Sequence, residues 1–326
     1  MRRLSVRRLA SGLVQKPPSS SKWTVDLYKE AAIFKTDPSL GLSPTTEQIP
    51  YLAADIMCNL PTTEADFISG EFARQYRKAL DDRRAAIRAE YHAGTVTIDE
   101  FETAIHDFSR AEDRFELIEW RIKDVLDPKV RADPSEGIED TFAMGMITLF
   151  GLDANTPDHK FKFTAQPSIE FTYRGVAGWH SKPDAKVVRT TTGDIVIVIE
   201  DKFDGGLKRV DPLSPSKHYF LPQVLGECIA ALARNWEKGQ GQGVWTGSVY
   251  ALRFYDQYVT PLRVHVTEQD AATLFTAPTK TPPKTVQWPK VVMTSPLPET
   301  SVGYDVTKQA DRRLLFPLIA RLRAAL

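Results

Sequence analysis

Cysteine is nearly absent from this sequence: Cys58 and Cys228 are the only two in 326 residues. Two thiols cannot build a disulfide framework or a four-cysteine zinc site, and such scarcity suits a reducing, intracellular compartment. Histidine is sparse as well, and the six present are scattered without zinc-ligand spacing. Net charge is lacking altogether, with 42 Lys+Arg against 42 Asp+Glu. That balance excludes a globally basic nucleic-acid coat and leaves any phosphate binding to a local patch. No apolar run approaches the ~20 residues that span a bilayer, so no membrane partner is expected. Phosphate-cradling P-loops, HExxH and GxSxG are missing too, as are internal repeats. What remains is an ordinary globular composition, 42% hydrophobic and 26% charged, rich enough in apolar residues to offset the entropy of folding.

The chain divides by pattern into four stretches. Residues 1–22 carry Arg2, Arg3, Arg7, Arg8 and Lys16 with no acid before Asp26. They read either as a transit peptide or as a disordered basic arm, which leaves both a nuclear and a mitochondrial destination open. Residues 23–130 are helical. Ile68, Phe72, Tyr76, Leu80, Ile87 and Tyr91 form one amphipathic stripe ended by Gly94; Thr97 and Glu100 form a capping box, and Phe101 to Val125 continue with helical spacing. This αα-hairpin is expected to brace the rest or to mediate homo-oligomerisation. Residues 131–275 are mixed α/β. Residues 276–326 comprise a proline-rich stretch, expected to cross the surface as extended chain, and a basic helix over 306–325, with Arg312, Arg313, Arg321 and Arg323 expected on a solvated side, that Pro317 should kink or split.

Within the α/β stretch, Asp133, Pro134 and Glu136 open a helix that runs to Gly151. Strands are expected over 160–165, 169–173, 185–189 and 195–199, then a helix from Pro222 to Lys238, then strands over 244–255 and 262–267. Ile195-Val196-Ile197-Val198-Ile199 is five β-branched residues in a row. A run without polar alternation is a strand buried on both faces, at the centre of a sheet.

The chemistry sits at the end of that run. Side chains alternate along a strand, so Glu200 and Lys202 share one face and Asp201 points away. Pro183-Asp184 opens the preceding strand, and 184 and 200 lie equally far from a turn centred on Thr192. In an antiparallel hairpin they are opposite, with Cβ atoms ~5 Å apart. Two carboxylates that close repel unless a cation lies between them, and oxygen donors favour Mg²⁺ or Mn²⁺. A lysine two residues on can activate water or stabilise charge on a phosphate.

Pro183-Asp184, the spacer 185–199 and Glu200-Asp201-Lys202 together resemble the PD-(D/E)XK nuclease superfamily, whose restriction-endonuclease-like fold has an αβββαβ core with a mixed central sheet. The resemblance covers roughly residues 133–267. It implies that Asp184 and Glu200 bind the metal, that Lys202 assists the attacking water, that Glu139 or Glu136 lends a further acid from the first helix, and that Gln223 serves from the second. Some exonuclease branches have Tyr where Glu227 stands here. Other Pro-Asp and acid-x-Lys matches, such as Pro157-Asp158 and Asp127-Pro128-Lys129, lack the strand context. The expected activity is Mg²⁺-dependent cleavage of nucleic acid, DNA before RNA; the alternative is a catalytically inactive nucleic-acid-binding or scaffold protein of the same fold. Loop residues Lys208 and Arg209, beside Gly205-Gly206, either grip a phosphate or belong to a surface loop. His180 is a candidate substrate contact, and Trp179 is expected to pack. Cys228, inside a helix, is expected to be a buried structural thiol.

Overall fold

The unalternated run Ile195–Ile199 lies in the middle of a sheet, as its composition dictates. The structure, a computed structural model, describes residues 23–43, 49, 51–126, 136–153, 160–202, 220–239, 245–276 and 288–326. In chain order its elements are α1 (Val25–Ala31), β1 (Ala32–Thr36), α2 (Leu52–Asn59), α3 (Glu64–Ser69), α4 (Glu71–His92), α5 (Ile98–Leu126) and α6 (Glu136–Leu149). Then come β2 (Phe161–Ala165), β3 (Ile169–Tyr173), β4 (Val176–Ser181), β5 (Ala185–Arg189), β6 (Ile195–Lys202) and α7 (Phe220–Gly239). The chain closes with β7 (Ser248–Tyr255), β8 (Tyr258–His265), α8 (Glu268–Phe275), β9 (Val291–Ser295), β10 (Tyr304–Asp305) and α9 (Gln309–Ala325).

The fold is α/β around one mixed sheet in the order β1-β9-β8-β7-β6-β5-β2, with β10 added beside β8. Strands β2, β5 and β6 are antiparallel neighbours, whereas β6 and β7 run parallel, joined by a crossover that contains α7. A parallel pair requires such a crossover, because a tight turn cannot reverse the chain twice. Strands β3 and β4 form a separate ribbon. One apolar layer, with Ile197, Ile199, Leu252 and Phe254 on the sheet, packs against α2, α4, α5, α6 and α9. The opposite layer, with Val198, Ala251 and Leu262, packs against α1, α7, α8 and the β3–β4 ribbon.

Local signals in the helical part hold. Gly94 adopts φ 71° just past α4, and the Thr97–Glu100 box is made in both directions, with N···O distances of 2.8 and 3.3 Å. Several expectations are corrected. The stripe from Ile68 to Tyr91 is broken at Gly70, whose φ of 78° ends α3, and Ile68 is exposed. Ala32–Thr36, within the helical stretch, is a strand paired parallel with Val291–Ser295. That partner lies in the proline-rich stretch expected to cross the surface, yet its residues are mostly buried in the sheet. Helix α9 continues through Pro317 without a split, and Arg312, expected on a solvated face, is fully buried. Its guanidinium donates to the carbonyls of Met57, Leu60 and Val306 and to the Thr62 hydroxyl, which supplies the acceptors a buried cation needs. The Asp133-Pro134 cap and the basic segment 1–22 lie outside the described residues.

Candidate active site

The β5–β6 hairpin sets the first two acids. Ala185 pairs with Ile199 and Val187 with Ile197, and the same register carried one step further puts Asp184 opposite Glu200. A bulge at Val187/Val188 absorbs one residue near the turn, so the pairing at the open end keeps the spacing the sequence implies. Asp184 is fixed by its backbone and its side chain. Its carbonyl accepts from the Gln166 N–H at 2.6 Å, and its Oδ2 accepts from the Asp201 N–H at 2.9 Å.

Alternation then assigns faces. Ile197 and Ile199 belong to the α6/α9 layer and Val198 to the α7 layer, so Glu200 is on the α7 side and Asp201 on the other. Both are buried, Glu200 with no exposed surface at all. Across the parallel pair Glu200 is in register with Arg253, and Arg253 with Thr260 of β8. One polar row, Asp184–Glu200–Arg253–Thr260, therefore crosses four strands beneath α7. It sits near the carboxyl ends of β6 and β7, the place where open α/β sheets accept ligands.

Helix α7 lies over this row. Gln223 and Glu227 are one turn apart, and the Gln223 amide donates to Glu227 Oε1 at 3.1 Å. Glu227 is fully buried. The neighbouring Cys228 thiol is held well above its usual pKa, first by burial and then by the charge of Glu227, so it is inert, as expected of a structural cysteine. Further along the helix Asn235, also buried, accepts from the Ile195 N–H at 2.9 Å and donates to the Ile195 carbonyl at 2.8 Å. The pairing of β7 with β6 begins only at Ile197, so the amide of Asn235 serves Ile195 as a neighbouring strand would. It fixes α7 to the strand that carries Glu200.

Arg253 is the cationic member of the row. Burial, set slightly against the nearby Tyr255, pulls its pKa down to about 10. Its Nη2 donates to Thr260 Oγ1 at 2.9 Å and to the carbonyls of Ser301 and Val302 at 3.0 Å each. Those bonds aim the guanidinium toward β8 and the segment before β10.

The structure thus brings Asp184, Glu200 and Gln223 to one side of the sheet. Lys202 closes β6, in register with Tyr255, but its side chain lies outside the described residues, as do those of Glu136 and Glu139 on α6. Lys208 and Arg209 fall wholly outside them. His180 is not brought to the acids: it pairs with Glu170 on the β3–β4 ribbon. The alternate pairs Ile169–Ser181 and Phe171–Trp179 are the buried ones, so His180 faces away from α7. Trp179 packs as expected, with its ring 5.7 Å from Tyr173 and 6.1 Å from Trp23. Arg253 went unnoticed in the sequence because its neighbourhood depends on a parallel register that no local signal encodes. Lys186 was missed despite a usable signal, since period-2 alternation puts it on the face of Asp184.

Asp184 and Glu200 offer oxygen donors of the kind that suit Mg²⁺ or Mn²⁺, which hold several waters and need only one or two carboxylates from protein. Among the described residues no group of three or more His, Cys, Asp or Glu side chains could hold a metal ion. No helix among the described residues is long and apolar enough to cross a membrane. In comparisons with known proteins, the chain matches no protein-family model, no curated protein and no solved structure.

Proposed function

We propose that this chain is a metal-dependent nuclease of the restriction-endonuclease-like kind, hydrolysing phosphodiester bonds of nucleic acid, DNA before RNA. The observation that carries the reading is the register that sets Asp184 opposite Glu200, at the open end of a hairpin whose second strand runs parallel to β7. The element order α6-β2-β5-β6-α7-β7, with the ribbon β3–β4 inserted after β2, supports an αβββαβ core.

In this reading Asp184 and Glu200 hold Mg²⁺ or Mn²⁺, with Glu139 as a third donor from the first core helix. The bound ion would supply Lewis acidity toward a phosphoryl oxygen. Lys202, two positions beyond Glu200, is the group assigned to the attacking water. Gln223 is held by Glu227 and orients substrate or water from the helix side. The Asp201 N–H positions Asp184 by fixing its carboxylate. The apolar layers above and below β6 exclude bulk water and strengthen every charge interaction at the site.

The test is purified protein with Mg²⁺ or Mn²⁺ on linear, circular and single-stranded DNA and on RNA, beside Asp184→Ala and Lys202→Ala. Expected is cleavage by the parent and a loss of at least about 100-fold in both variants, the scale of removing a group that acts on the transition state. Nucleic-acid binding without cleavage under any divalent metal would replace the enzyme with a binding or scaffold protein.

A further inference from the structure

We propose that the substrate of this site is a polynucleotide strand whose flanking phosphates rest on Lys186, Arg234 and Lys238. The inference rests on the nuclease reading above and extends it to the substrate's length and path. Lys186 follows Asp184 by two residues on β5, so both point to the α7 side, and Lys186 is in register with Val198 of the layer packed on α7. On α7, Gln223, Glu227, Arg234 and Lys238 recur at spacings of four, seven and four, which is one helical stripe. Its first two residues accompany the acids, and its last two accompany Lys186.

Three cations meet there. Lys238 Nζ donates to the Gly193 carbonyl in the β5–β6 turn, which holds the end of the helix over the hairpin. Lys186 is half-buried, and the charges of Lys238 and Arg234 both act on it. Among the described residues, Glu237 is the acid paired with the group, 3.0 Å from Arg234, in a half-exposed pair that contributes little. Like charges gathered around a partly desolvated lysine make a site that gains by receiving an anion.

Spacing gives the kind of anion. Along β5 the step from Asp184 to Lys186 is about 7 Å. Along α7 the steps from Glu227 to Arg234 and Lys238 are about 10 and 16 Å. With ~3.4 Å of axis per phosphate in a nucleic-acid strand, the cations lie about two to five phosphates from the acids. A free phosphate or a dinucleotide cannot span that interval, whereas a polynucleotide can. Helix α7 and β5 run in the same direction, both opposed to β6, so the two rows of contacts form the walls of one path.

The experiment measures fluorescence anisotropy of labelled 20-mer DNA, duplex and single-stranded, as salt is varied. It uses the full chain carrying Asp184→Ala so that the probe stays intact. Removing all three cations (Lys186→Ala, Arg234→Ala, Lys238→Ala) is expected to raise Kd about tenfold or more. It is also expected to make the plot of log K against log salt shallower by two to three, close to one per lost phosphate contact. Exchange of each for its conservative cation (Lys186→Arg, Arg234→Lys, Lys238→Arg) should restore the slope, which a merely structural role would not require. An unchanged slope in the triple variant, with DNA still bound, would overturn this path and leave the nuclease reading intact. If the intact protein neither binds nor cleaves any nucleic acid, the nuclease reading itself falls.

Discussion

Asn235 offers a direct measure of how firmly the candidate site is mounted. Its side-chain amide satisfies both the N–H and the carbonyl of Ile195, at 2.9 and 2.8 Å, inside the protein. Asn235→Ala leaves two buried backbone groups without those partners. Each costs about 1–3 kcal/mol, so about 2–6 kcal/mol of local stability should be lost at the start of β6. At 1.4 kcal/mol per factor of ten, protection of the Ile195 amide against hydrogen exchange should fall by about 30-fold to about 20,000-fold. Asn235→Asp sharpens the test. Its carboxylate still accepts from the N–H but faces the Ile195 carbonyl with no proton to give. Burial and that carbonyl raise the folded pKa above the unfolded ~3.9, so the deficit is present at pH 7 and shrinks as pH falls and the acid regains a proton. Exchange at Ile195 in Asn235→Ala within threefold of the parent would refute the reasoning. So would an Asn235→Asp deficit that stays flat from pH 7 to 4.5.

Arg312→Met, which removes a guanidinium bound at 2.6–2.8 Å to four acceptors from α2, the segment after it and the turn between β10 and α9, should cost about 3–5 kcal/mol in urea unfolding. Arg312→Lys should recover only part, since an ammonium cannot reproduce the planar fork, and a loss below about 1 kcal/mol in Arg312→Met would contradict the account. His265 has its pKa lowered by burial and then by Arg263, against a smaller opposing contribution from the Gly247 backbone. Its neutral form therefore favours the fold, and that stability is present above pH ~6.5 and lost as pH falls through the folded value. Melting temperatures between pH 7.5 and 5.5 should accordingly drop less in His265→Gln than in the parent; equal drops would remove His265 as a cause.

The parts of the fold that could be read beforehand are those whose cause is local. Strand β6 announces itself because burial on both faces demands an apolar run without alternation, and the turn before it fixes which acids meet. Gly94 and the Thr97–Glu100 box are equally local, needing only a left-handed residue and two side chains three apart. The pairing of Ala32–Thr36 with Val291–Ser295 has no such signal, because parallel partners so far apart in sequence are chosen by the packing of everything between them. Arg312 misleads for the same reason. Its position on an amphipathic pattern reads as solvent-facing, while two of the three carbonyls that receive it belong to Met57 and Leu60, far away in sequence. Strand β4 escapes notice because Gly178, at φ 82°, and the polar His180 interrupt what would otherwise be its pattern.

The distribution of buried charge then bears on where function resides. The central sheet is apolar along most of β6 and β7, but at their carboxyl ends Glu200, Asp201 and Arg253 are all buried, with Glu227 buried on the helix above. Burying an ionised side chain costs several kcal/mol unless it is compensated. Arg253 has its acceptors in Thr260, Ser301 and Val302, whereas the packing of a sheet does not by itself call for three carboxyl groups at one end. A fold that needed only stability would do as well with apolar residues there. Replacing Glu227 by Leu separates the two demands: if the charges are kept for chemistry, thermal stability should hold or rise while cleavage and metal-linked stabilisation fall. If Glu227→Leu instead unfolds the protein, the carboxylate belongs to the architecture and the site must be built from Asp184 and Glu200 without it.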